Sequence, residues 1–172
     1  MKKFLKYAGA CAALLAVVAF VLLMATPAVM YKGEDVVAKG IVAIFGQKET
    51  SSIGGLISFT SETKLAWSAL LAWIFVIVAL VILVLGVVLP LLKVKKLEKF
   101  AGLLNLVAVL LLVVAGVFVF ITCPVFFAAN GFDKVPDNCA LGAGWIIAGI
   151  LAVLAGVVAI LPAAADFLGK KK

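Results

Sequence analysis

Four apolar runs, at about residues 8–30, 65–92, 101–122 and 141–163, limit what this chain can fold into more than any other feature. None carries a charged side chain through its middle. Each matches the about 20 residues that a helix needs to cross a hydrocarbon core roughly 30 Å thick. The chain is 67% hydrophobic and 13% charged over 172 residues, whereas soluble domains average about 45–50% apolar. A soluble fold of this length leaves too much surface in water to hide that excess. The expectation is an all-α membrane protein. Residues 1–172 form one domain, a four-helix transmembrane bundle with two outer loops, at about 31–64 and 123–140.

Lysine assigns the connecting segments to sides. Lys2, Lys3, Lys6, Lys93, Lys95, Lys96, Lys99, Lys170, Lys171 and Lys172 are opposed only by Glu98 and Asp166, a balance of +8. Lys32, Lys39, Lys48, Lys64 and Lys134 face Glu34, Asp35, Glu49, Glu62, Asp133 and Asp137, a balance of −1. The positive-inside rule then places both termini and the 93–99 link in the cytoplasm and the other two loops outside. An even number of spans agrees with both ends lying on one side. The cell membrane is the expected location, and anionic lipid heads are the expected partners of the lysine clusters. The net charge of +7 therefore does not point to nucleic acid. The basic tip before the first run resembles a signal n-region, but its apolar stretch is longer than the about 7–15 residues of a signal core. We read it as an uncleaved span.

The spans carry packing patterns. Ala8, Ala12, Ala16 and Ala19 share one helical face, and Ala72, Ala79 and Gly86 recur every seven residues. Gly144, Ala148, Ala152 and Gly156 form a small-xxx-small stripe, the pattern that lets helices approach closely in lipid. That stripe suits either the alanine face of the first span or a second subunit. Asn105 is the most polar side chain within any span. A structural contact to a neighbouring helix is its expected role, and the lining of a pathway is the alternative. Pro162 and Gly169 are read as ending the fourth span.

The first outer loop holds short β-branched or aromatic runs at 36–37, 41–45 and 56–59, broken by Gly46 and the pair Gly54 and Gly55. A small hairpin or sheet fits this pattern, and an amphipathic interfacial helix over 35–45 competes with it. In the second loop Phe126 and Phe127 are expected at the membrane interface. Cys123 and Cys139 bracket this loop at the outer ends of two antiparallel spans. A disulfide between them and two reduced thiols are both open. Cys11, at the opposite end of the first span, is out of reach.

Chemistry is sparse. The chain has neither arginine nor histidine, which removes bidentate anion capture and the usual general base. No phosphate-binding loop, metal-protease or paired-cysteine motif occurs. No ionisable residue lies deep in a span, as proton-coupled transport would require. No catalytic, cofactor-binding or metal-ligating residue is assigned, and no enzyme activity is expected. The leading expectation is a scaffold, accessory subunit or adhesion-type tetraspan, partnered by the bilayer and by its own copies or another membrane protein. The alternative is an oligomeric channel or small-molecule transporter subunit.

Short cytoplasmic ends, a larger first outer loop with strand character and a short second loop together resemble the claudin-like four-span proteins. The claudin signature of a tryptophan, then Gly-Leu-Trp and two cysteines in the first outer loop, is absent. The resemblance therefore implies topology only. The segment Gly40-Ile-Val-Ala-Ile-Phe-Gly46, followed by 56–59 and Trp67, is also similar to small four-span membrane proteins of low-GC bacteria, a likeness that implies no activity.

Overall fold

A computed structural model describes residues 2–31, 35–53, 57–91 and 95–168. Lys93, the glycine pair at 54–55 and residues 169–172 lie outside them, and with them the stop expected at Gly169. Four long helices are present: α1 (Lys2–Ala25), α3 (Trp67–Leu91), α4 (Lys95–Phe120) and α6 (Ala143–Leu168). All four are long and apolar enough to cross a membrane. Between α1 and α3 lie strands β1 (Pro27–Tyr31) and β2 (Val36–Lys39), the short helix α2 (Gly40–Phe45), and strands β3 (Gln47–Ile53) and β4 (Ile57–Thr63). Between α4 and α6 lie α5 (Thr122–Ala129) and β5 (Cys139–Leu141).

The long helices close a ring in which α1 and α4 each pack on both α3 and α6. The ring is lined by small residues and faced outward by large ones. Ala12, Ala16, Ala79, Ala108, Ala155 and Ala159 are sealed in the half away from the sheets, while Leu14, Val81, Leu110, Val117, Ile147 and Val157 stand exposed on its outside. A soluble bundle does the reverse. Small residues bring helix backbones together where packing, rather than exclusion of water, holds them. At Gly116 on α4 a Cβ would stand 2.5 Å from Val153 Cγ2 and 3.0 Å from the Gly149 carbonyl oxygen of α6.

Several boundaries differ from the sequence expectation, each for a local reason. The first apolar run stops being helix at Ala25. Pro27 has no N–H to donate and biases Thr26 away from helical backbone. Thr26 caps the last turn through its hydroxyl, which donates to Leu22 O at 2.6 Å, and residues 27–31 become a strand. The first outer loop is neither sheet nor helix alone. Residues 41–45, expected in a strand or in the second half of a longer helix, lie in the six-residue α2. The backbone N–H of Gly40 donates to Thr26 O at 3.0 Å and that of Ala66 to Ala43 O at 2.8 Å, so α2 spans the ends of α1 and α3. In the second loop, Pro124 cannot donate to the carbonyl of Phe120 and crowds it. The helix breaks at Ile121 and resumes as α5. Leu141, expected in the fourth span, belongs to β5. Pro162 does not end that span: α6 continues through it to Leu168.

β1 is the centre of a three-stranded antiparallel sheet ordered β2-β1-β5, with Val29 opposite both Ala38 and Leu141. The second outer loop thus completes the sheet begun by the first. β3 and β4 form a separate hairpin in continuous register from Gln47↔Thr63 to Ile53↔Ile57.

Candidate functional site

Among the described residues the side-chain hydrogen bonds gather at the end of the bundle that carries the sheets. Its core is continuous with the helices. Leu23 of α1, Val29 of β1, Ile44 of α2, Val76 of α3, Val119 of α4 and Trp145 of α6 belong to one buried cluster. Phe126 and Phe127 are buried in it too, at 4% and 5% exposure, rather than lying at an interface. α5 turns inward over the bundle, so its aromatic pair caps the core. Phe127 also meets Phe132 edge-on, with ring centroids 5.5 Å apart.

Cys123 on α5 and Cys139 on β5 are both buried in this cluster as free thiols. Burial pushes the Cys123 thiol above its ordinary 9.0, and a charge on nearby Cys139 would push it further in the same direction. The structure thus brings the two together. Cys11 is exposed on α1.

Among the described residues the buried polar side chains are Ser68, Asn105 and Thr122. Ser68 donates to Thr122 Oγ1 at 3.3 Å, and Thr122 donates to Phe118 O at 2.8 Å. Asn105 is buried between α3 and α4, where a Cβ on Gly86 would stand 2.7 Å from its Oδ1. Of the seam Ala72, Ala79 and Gly86, it is Gly86 that stands against it, while Ala72 and Ala79 are buried farther along α3. In the fourth-span stripe, Ala148 and Ala152 are buried. Gly144 faces the Thr26 side chain just past the end of α1, and Gly156 faces Val113 of α4. The stripe therefore turns from one neighbour to another inside a single chain. Trp145, fully buried, holds an indole N–H without a partner among the described residues.

Two features were not legible in the sequence. Asn130 reaches across 66 positions to Lys64: its Oδ1 accepts from the Lys64 N–H at 2.8 Å, and its Nδ2 donates to Lys64 O at 3.2 Å. That Nδ2 also donates to Phe126 O at 2.8 Å. One amide thus joins the root of the hairpin to the end of α5. Nothing local signals it beyond the Asn-Gly turn at 130–131. The second is the joining of β5 to β1, which rests on three residues too short to read as a strand. Among the described residues no group of histidine, cysteine or acidic side chains can hold a metal ion. No protein-family model matches the chain, and no curated protein matches it.

Proposed function

We propose that this is a non-enzymatic multi-pass membrane protein, a scaffold, accessory subunit or adhesion-type tetraspan. It lies in the cell membrane with both termini in the cytoplasm and its sheets outside, and its partner is a second copy or another membrane protein. The claudin-like topology noted above accords with this reading. One observation carries it. The β3–β4 hairpin stands apart from the three-stranded sheet, and among the described residues neither strand has a second neighbour. A lone two-stranded hairpin is marginal by itself, and open edges are templates for pairing with another chain. Its root is nevertheless held firmly, through Asn130 and through α2, whose Ala43 and Ile44 are buried. A projecting element on a fixed base suits contact with a partner.

The bundle interior supports the same choice over transport. It is packed with alanine, and among the described residues its buried polar side chains are Ser68, Asn105 and Thr122, too few to line a wet path. Purification in mild detergent with crosslinking through a cysteine placed in the hairpin tests the proposal. A stable homo- or hetero-complex is expected. A chain that stays alone in detergent and in nanodiscs refutes it. Solute flux in liposomes that is lost on Asn105→Leu would establish the channel reading instead.

A further inference from the structure

At the root of the hairpin lies a cleft of about 540 Å³, between the end of α2 and the start of α3. Phe45, Leu65 and Ala129 form its apolar side, and Lys48, Glu62 and Lys64 its charged side. We propose that this cleft binds the phosphodiester headgroup of a lipid in the adjacent leaflet, with Lys64 as the phosphate partner.

The position of the cleft argues first for a lipid. The Ala66–Ala43 backbone bond fixes α2 at the level where α3 begins its apolar span. At that level Ile41, Phe45, Leu65 and Trp67 are all exposed. Ile41 and Phe45, four apart on α2, share its outward face. Exposed aromatic and aliphatic side chains at the end of a span are where headgroups meet acyl chains. The apolar side of the cleft is continuous with this belt, so a ligand with a polar head and an apolar tail fits both parts at once.

The charges argue for a phosphate. Lys48 Nζ lies 3.3 Å from Glu62 and is already paired. Lys64 pairs with no carboxylate among the described residues, which leaves the cleft one uncompensated positive charge. The Lys64 backbone is held at both its N–H and its carbonyl by Asn130, so its ammonium swings from a fixed point. Gly46 lines the cleft with φ 74°, a conformation that side chains resist. A Cβ there would also sit 2.9 Å from Thr63 O. The backbone on this side of the cleft is thus fixed at Gly46 and Lys64, which lowers the ordering cost of binding.

The test is native mass spectrometry of the full chain released from an uncharged maltoside detergent. The micelles are doped in turn with phosphatidylglycerol, with diacylglycerol, which has the same tails and no phosphate, and with glycerol phosphate, which has no tails. Wild-type protein should retain phosphatidylglycerol at least fivefold better than either of the others. Lys64→Gln should abolish that preference, Lys64→Arg should keep it, and Lys134→Gln, a lysine outside the cleft, should leave it unchanged. Equal retention of phosphatidylglycerol by wild type and Lys64→Gln overturns the proposal. Equal retention of glycerol phosphate and phosphatidylglycerol also overturns it and assigns a soluble phosphate ligand instead. None of these outcomes depends on complex formation through the hairpin.

Discussion

Trp145 gives the sharpest test of how the sheet-end core is held. Its ring is fully buried and its indole N–H has no partner among the described residues. Leaving a buried donor unmatched costs about 1–3 kcal/mol, so the ring contributes packing at a standing loss. Trp145→Ala removes the packing, and large aromatic deletions cost about 3–5 kcal/mol. Trp145→Phe removes the donor together with part of the ring. A phenyl group leaves roughly 40 Å³ unfilled, or about 1 kcal/mol at ~24 cal/mol per Å³ of cavity. The transfer free energy of the missing atoms adds about 1–1.5 kcal/mol. Removal of the unmatched donor offsets most of this, so Trp145→Phe should lie within about 1 kcal/mol of wild type. Thermal or urea unfolding in maltoside micelles, followed by the fluorescence of the remaining Trp67 and Trp73, gives both values. If Trp145→Phe costs as much as Trp145→Ala, the indole N–H is bonded in solution and the reasoning fails.

Gly116→Leu must part α4 from α6 against a backbone carbonyl. Overpacking costs typically about 1–3 kcal/mol, and unfolding in micelles should show a loss of that size, with Val117→Leu on the outward face near zero. Glu62→Gln breaks an ion pair whose side chains are 70% and 54% exposed. Pairs this open contribute about 0–1 kcal/mol, so a melting temperature that falls by more than a few degrees would mean the hairpin root is more closed than it looks. Cys123 and Cys139 should form a disulfide in an oxidising exterior, closing a loop for which the chain-entropy model gives about 3 kcal/mol, and full alkylation of both thiols in unreduced, denatured protein would refute this. In the reduced protein the raised Cys123 pKa disfavours the thiolate in the folded state. Its stabilising contribution is therefore complete below the ordinary 9.0 and is lost as pH rises through the folded value, which unfolding of reduced protein between pH 8 and 11 measures.

Elements set by composition over twenty residues were readable in the sequence, and those set by one or two distant contacts were not. The four long helices were legible because each uncharged apolar run has the length and composition of a helix that could cross a membrane. The inward alanine faces, including Ala12, Ala16 and Ala79, follow from helical spacing alone. Hydrophobicity misplaced the helix ends, because Ala28, Val29 and Leu141 are as apolar in a strand as in a span. Pro27 marked the true end of α1, and Pro124 the break before α5. The same rule misreads Pro162, where α6 carries on without that one hydrogen bond. Gly40 and Gly46 bracketed a segment whose helix or strand character periodicity could not decide. α1 and α3 decide it, since both need a backbone partner at their ends and a six-residue helix reaches them. The Lys64–Asn130 pairing had no trace in spacing, composition or charge. It depends on α5 turning back over the bundle, which in turn depends on Pro124. One proline after a long apolar helix thus positions the amide that fixes the only lysine in the cleft left without an acidic partner among the described residues.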